Sequence, residues 1–135
     1  MCCKSAIYLV ESGTGTTVTE GNAIPTGNIA RRFGCNISQS GTGLVANGNG
    51  YYQVTGVFSI SPSTVGVVGV SIRNNGTDLG NASQVYANVA NEPVQIVVSA
   101  IVRNGCADNG RSFIEFVLES GRGTIVQSSI IVEKI

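Results

Sequence analysis

The chain has 135 residues, 42% of them hydrophobic, with 8 Lys and Arg balancing 8 Asp and Glu and no histidine. Zero net charge argues against nucleic acid as a partner, because phosphate binding needs a basic surplus or stripe, and Arg31-Arg32 is the nearest thing to a patch. The missing histidine removes the commonest general base and metal ligand, so neither a Ser-His-Asp nor a Cys-His site can be assembled from this chain.

Only 12% of the residues are charged, against about 25% in an average soluble domain. Gly, Ser, Thr, Asn and Gln supply the polar surface instead. Low charge is also a compositional mark of surface hidden against other chains. The length is that of one domain able to bury its own core; residues 1–5 read as an N-terminal arm and 6–135 as a single domain. No apolar run is long enough for a secretory signal core or for the ~20-residue span of a membrane helix. The expectation is synthesis in a cytoplasm and no membrane partner.

In chain order, "AIYLVE" (6–11) is the first predicted strand, followed by a Gly/Thr-rich stretch with one short strand near 16–19. "IARRFGCNIS" (29–38) reads as one strand bulged at Gly34, "GLVANG" (43–48) as a short strand and "YYQVTGVFSIS" (51–61) as a long one. "GVVGVSIRNN" (66–75) runs into "NNGTDLG", a hairpin turn in which Asn-Gly accepts the positive φ required. "ASQVYANVA" (82–90) and the nearly all-apolar "EPVQIVVSAIVR" (92–103) follow, and "SFIEFVLESG" (112–121) with "TIVQSSIIVEKI" (124–135) closes the chain as a hairpin around "SGRG". Helical periodicity is absent and glycine punctuates the strands. The fold class is all-β, a two-sheet jelly-roll sandwich of eight to ten antiparallel strands.

Strand alternation separates two groups. In 112–121 and 66–75 one face is apolar and the other carries Glu115, Glu119, Ser71 and Arg73. In 6–11, 51–61, 92–103 and 124–135 both faces carry apolar residues. One sheet therefore has a wet side, while the other is covered twice, and a two-layer sandwich without helices has nothing of its own to cover it. Another copy of the chain is the economical cover. Six extra side chains burying ~60 Å² each contribute roughly 9 kcal/mol per subunit before association costs. Scattered surface Val and Ile in a monomer, or a phase error at a bulge near Gly34, Gly56 or Gly69, is the competing explanation.

These strands, in this order, resemble the tumour necrosis factor-like and complement-type globular heads. The resemblance is carried by "GYYQVTGVFSIS", similar to the aromatic-rich strand of those heads, by "VSIRNNGTDL", similar to their hairpin, and by "PVQIVVSAIVR" with the terminal pair of strands. "IPTGNIARRFGCNI" followed by "GNGYYQVT" looks most like the small versions found in phages and gut bacteria. The resemblance implies a homotrimer whose interface is drawn from Ile7, Leu9, Tyr51, Val57, Val97, Ile101, Ile131 and Ile135. No collagen-like tract or coiled coil precedes the domain, so the reading is a head without a stalk, with Cys2, Cys3 and Lys4 as a docking arm.

Chemistry is sparse. Cys2, Cys3, Cys35 and Cys106 lack CxxC spacing, which excludes a zinc or thioredoxin-like site. Four free thiols, two of them buried, and a Cys35–Cys106 bridge both stay open. Asp78 and Asp108 are the only candidates for calcium, isolated where a calcium site needs about six oxygen ligands; both also suit turn chemistry. Glu115 and Glu119 have no second acidic pair, and the glycine-rich stretches lack a Walker lysine. The expectation is no cofactor and no enzyme. The resemblance to the small phage versions, with low charge, a stalkless trimer and cytoplasmic synthesis, implies a virion structural protein of a phage, a trimeric capsid decoration or a head or tail fibre protein at the virion surface. Its partners would be itself, a capsid or tail protein and a host-surface glycan. The alternative is a bacterial cell-surface or spore-coat binding head of the same fold.

Overall fold

The computed structural model describes residues 5–105 and 111–135. Ten strands run β1 (Ala6–Val18), β2 (Asn28–Phe33), β3 (Ile37–Ser40), β4 (Gly43–Asn47), β5 (Gly50–Pro62), β6 (Gly66–Asn74), β7 (Thr77–Ala87), β8 (Val94–Asn104), β9 (Arg111–Ser120) and β10 (Gly123–Lys134). They form two five-stranded antiparallel sheets, ordered β2-β1-β10-β5-β8 and β3-β4-β9-β6-β7. The architecture is all-β, as the glycine punctuation and β-branched runs require, and no helix is present among the described residues.

The core lies between the sheets. β1 contributes Ile7 and Leu9, β5 Tyr52, Val54, Phe58 and Ile60, β8 Ile96, Val98 and Val102, and β10 Ile130 and Val132. The facing sheet answers with Leu44, Val68, Val70, Ile72, Ile114, Phe116 and Leu118. Each of these branched or aromatic side chains gains roughly 1.5–3 kcal/mol from leaving water. The sandwich is also sealed at one end by polar contacts. Asn104 is buried and donates from Nδ2 to the Ala46 and Gly48 carbonyls at 2.9 and 3.0 Å, while its Oδ1 accepts from Ser112 Oγ at 2.7 Å. Tyr52 OH donates to the Asn47 carbonyl at 2.7 Å, and Ser5 Oγ donates to Asn36 Oδ1 at 2.9 Å. Ser5, at the inner limit of the predicted arm, is thus tied into the domain.

Three local expectations are corrected. The stretch 29–38 is not one bulged strand: Gly34 has φ +79° and the chain breaks there, β2 joining the first sheet and β3 the second. β9 and β10 are not a hairpin, because β9 pairs with β4 and β6 while β10 pairs with β1 and β5. "SGRG" is a crossover between sheets. Finally, the short strand near 16–19 is the end of β1, which continues past a register shift between Ser12 and Thr16. The Asn75-Gly76 turn is as expected, with φ of +52° and +81°. The asparagine does more than tolerate that backbone: its Oδ1 accepts from Phe113 N at 2.8 Å, and its own N–H donates to the Phe113 carbonyl at 2.8 Å, so the β6–β7 turn is pinned to β9.

Candidate functional site

The four strands read as two-faced, β1, β5, β8 and β10, are adjacent members of one sheet. Their inner faces make half of the core, and no other element of the described chain is paired over their outer faces. Register fixes what that outer face presents. One row across it is Tyr8, Ile131, Thr55 and Ser99. The next is Val10, Ser129, Val57 and Val97, and on the other side lies Ala6, Glu133, Gln53 and Ile101. Tyr51 pairs with Arg103, and Ile135 donates its backbone N–H to the Tyr51 carbonyl at 3.0 Å, which brings Ile135 to the same margin. Apolar side chains thus run through the face, interleaved with small hydroxyl and amide groups.

Of the eight residues assigned to an interface, Tyr51, Val97, Ile101, Ile131 and Ile135 are exposed here and Val57 is half-buried in the same face. Ile7 and Leu9 are not on it. They are 1% and 0% exposed and belong to the core, because β1 pairs in a register that sets Ile7 opposite Val132 and Leu9 opposite Ile130, both inward. The outward residues of β1 are Ala6, Tyr8 and Val10. The predicted arm residues Cys2, Cys3 and Lys4 lie outside the described residues, as do Cys106 and Asp108. Cys35 is exposed, against the expectation of burial for a structural thiol.

The opposite sheet has a polar outer face. Arg73 Nη2 pairs with Glu119 Oε1 at 3.0 Å, and Ser71 Oγ donates to the same oxygen. The Ser71 hydroxyl, and then Arg73, hold the Glu119 carboxyl below its ordinary value. Glu115 accepts from Thr42 Oγ1 at 2.9 Å. Glu115 and Glu119 sit four residues apart on β9, roughly 13 Å along the strand, beyond the separation at which two carboxylates share a glycosidic bond. Asp78 lies opposite Arg73 in the β6–β7 pairing, a cationic neighbour unsuited to a calcium ligand. Among the described residues no three acidic, cysteine or histidine side chains cluster.

Two antiparallel sheets in this strand order, closed over one core and joined by crossovers, make a jelly roll of the tumour necrosis factor-like fold. Solved structures with this fold include the globular domain of the zebrafish complement 1qA protein, with a TM-score of 0.70, 9% identity and coverage of 97% of this chain and 96% of that one. The PRD1 vertex protein P5 superposes at a TM-score of 0.67 with 13% identity, over 97% of this chain and 96% of that chain. Murine APRIL gives 0.73 at 9% identity over 98% and 100%. No protein-family model and no curated protein sequence matches the chain.

Proposed function

We propose that this protein is a non-enzymatic head that works as a homotrimer on the surface of a phage virion, as a capsid decoration protein or the head of a fibre. The observation that carries the reading is the outer face of β1, β10, β5 and β8, where Tyr8, Tyr51, Val97, Ile101, Ile131 and Ile135 stand uncovered on adjoining strands. A contiguous apolar face of this kind marks an interaction surface. A head-to-tail ring of three copies covers it and closes. The virion assignment is supported by the shared fold with the PRD1 vertex protein P5 over nearly the full length of both chains. Cys2, Cys3 and Lys4 then supply an arm towards a capsid or tail protein, and the loops at the far end of the sandwich are left to meet a host-surface glycan.

Immunogold electron microscopy of lysates and cells from a producing culture tests the assignment. Labelling of particle vertices or fibre tips supports it. Labelling confined to bacterial envelopes or spores contradicts it and favours a cell-surface head of the same fold.

A further inference from the structure

We propose that the uncovered face carries its own electrostatic lock, with Arg103 of one copy paired to Glu133 of the next. This rests on the self-assembly reading above and adds the contact that sets its geometry. The face is nearly free of charge. Glu133, between Ala6 and Gln53, is the only side-chain carboxylate on the described outer surface of β1, β10, β5 and β8. Arg103, beside Tyr51 at the end of β8, is the only cation those four strands present there. Arg103 and Glu133 are both exposed, and neither forms an ion pair with a described residue of its own chain. In one chain β5 stands between them.

The surroundings of Arg103 decide its fate on assembly. Tyr51, Ile101 and Ile135, its neighbours on this margin, are 51%, 61% and 64% exposed. Any copy that covers these side chains also takes Arg103 out of water. A buried guanidinium without a partner is strongly unfavourable, and its planar donor fork suits a carboxylate. A second copy of this chain offers one side-chain carboxylate on the same face, Glu133. A cyclic head-to-tail arrangement satisfies every copy once as donor and once as acceptor, so three identical pairs close with no side-chain charge left over. A face-to-face twofold dimer is the competing geometry; it has no third copy and gives a different mass. Arg31, on β2 at the other margin, is the alternative cation; it neighbours Tyr8 and Asn28 and lies away from this apolar cluster.

The test uses the full chain in sedimentation velocity across a concentration series at physiological salt. Reversal of either charge, Arg103→Glu or Glu133→Arg, is expected to raise the half-assembly concentration at least about tenfold, and the double reversal to restore it within about threefold. Both side chains are exposed in the single chain, so circular dichroism of each variant is expected to match the parent. If a reversal does disturb folding, Arg103→Gln and Glu133→Gln remove the charges without adding new ones and are read in the same way. Single reversals that assemble like the parent overturn the lock while leaving the assembly reading intact. Rescue of Glu133→Arg by Arg31→Glu, and not by Arg103→Glu, also overturns it. A parent chain that sediments as a monomer removes the lock and the proposed function together.

Discussion

Phe58 on β5 and Phe116 on β9 meet across the sandwich with ring centroids 5.2 Å apart and planes inclined at 62°. The contact joins the two sheets through a pair in which the positive edge of one ring approaches the negative face of the other. Space for it comes from Gly56, the inward position two residues before Phe58. A Cβ there would stand 2.6 Å from Phe116 Cε1 and 2.7 Å from Phe58 Cε2.

Replacing Phe116 with Ala is therefore expected to cost about 3–5 kcal/mol. Gly56→Ala, which adds one carbon against two rings, is expected to cost about 1–3 kcal/mol. Urea unfolding at one fixed protein concentration measures both, since the proposed assembly would make stability concentration-dependent. An unchanged midpoint for Gly56→Ala contradicts the close approach.

The Asn104 hub gives a second expectation. The residue is 2% exposed and satisfies two carbonyls and one hydroxyl. Asn104→Leu fills the same space and takes this partner from the Ala46 carbonyl and the Ser112 hydroxyl, while the Gly48 carbonyl keeps its bond from Tyr52 OH; each buried group left unpaired costs about 1–3 kcal/mol. Ser112→Ala leaves one buried acceptor, Asn104 Oδ1, without its partner and is expected to cost about 1–3 kcal/mol, less than the loss of the whole hub. A larger loss for Ser112→Ala than for Asn104→Leu contradicts the hub.

Glu119 sets a pH dependence. Its carboxyl is held below the ordinary value of 4.5 by the Ser71 hydroxyl and by Arg73. A depressed folded-state value means that the unfolded chain binds the proton first as pH falls. The stabilisation is then complete above about pH 4.5 and is lost as pH drops through the lower folded value. Glu119→Gln is expected to lower the melting temperature at pH 7 and to narrow the gap from the parent at pH 3, measured by calorimetry. A gap that widens in acid contradicts the assignment.

The two sheets differ in what a charge does to them. Val97→Asp and Ile101→Asp place carboxylates in the uncovered face and are expected to yield dissociated or insoluble chains, read by size-exclusion chromatography with light scattering. Glu115→Lys lies on the polar sheet. It loses the bond from Thr42 and is expected to keep the parent's assembly with a stability change within about 1 kcal/mol. Normal assembly of the Asp variants contradicts the role of this face.

The grouping of strands was legible before any coordinates, because an uncovered outer face leaves a mark that alternation can carry. Val97 and Ile101 lie opposite in phase to Ile96, Val98 and Val102, and strands bearing that mark turned out to be neighbours in one sheet. The phase of β1 was not legible. Ile7, Tyr8, Leu9 and Val10 are apolar on both sides, and only the pairing of Ile7 with Val132 and Tyr8 with Ile131 tells core from surface. Tyr8 and Val10 were missed for that reason. Gly34 looks alike as a bulge and as a break, since both call for a positive φ at a glycine. "SGRG" suits a hairpin equally well as a crossover; the choice lies with β4 and β1, far away in sequence. The Arg103–Glu133 complementarity was likewise invisible, as residues thirty apart acquire a common face only through the order of β10, β5 and β8.

The central claim is that copies of this chain cover the outer face of β1, β10, β5 and β8. Sedimentation equilibrium of the purified protein at micromolar concentration tests it most directly. The account predicts a single species of three times the 13.9 kDa chain mass. A stable, soluble species of one chain mass, with Val97 and Ile101 open to solvent, contradicts it.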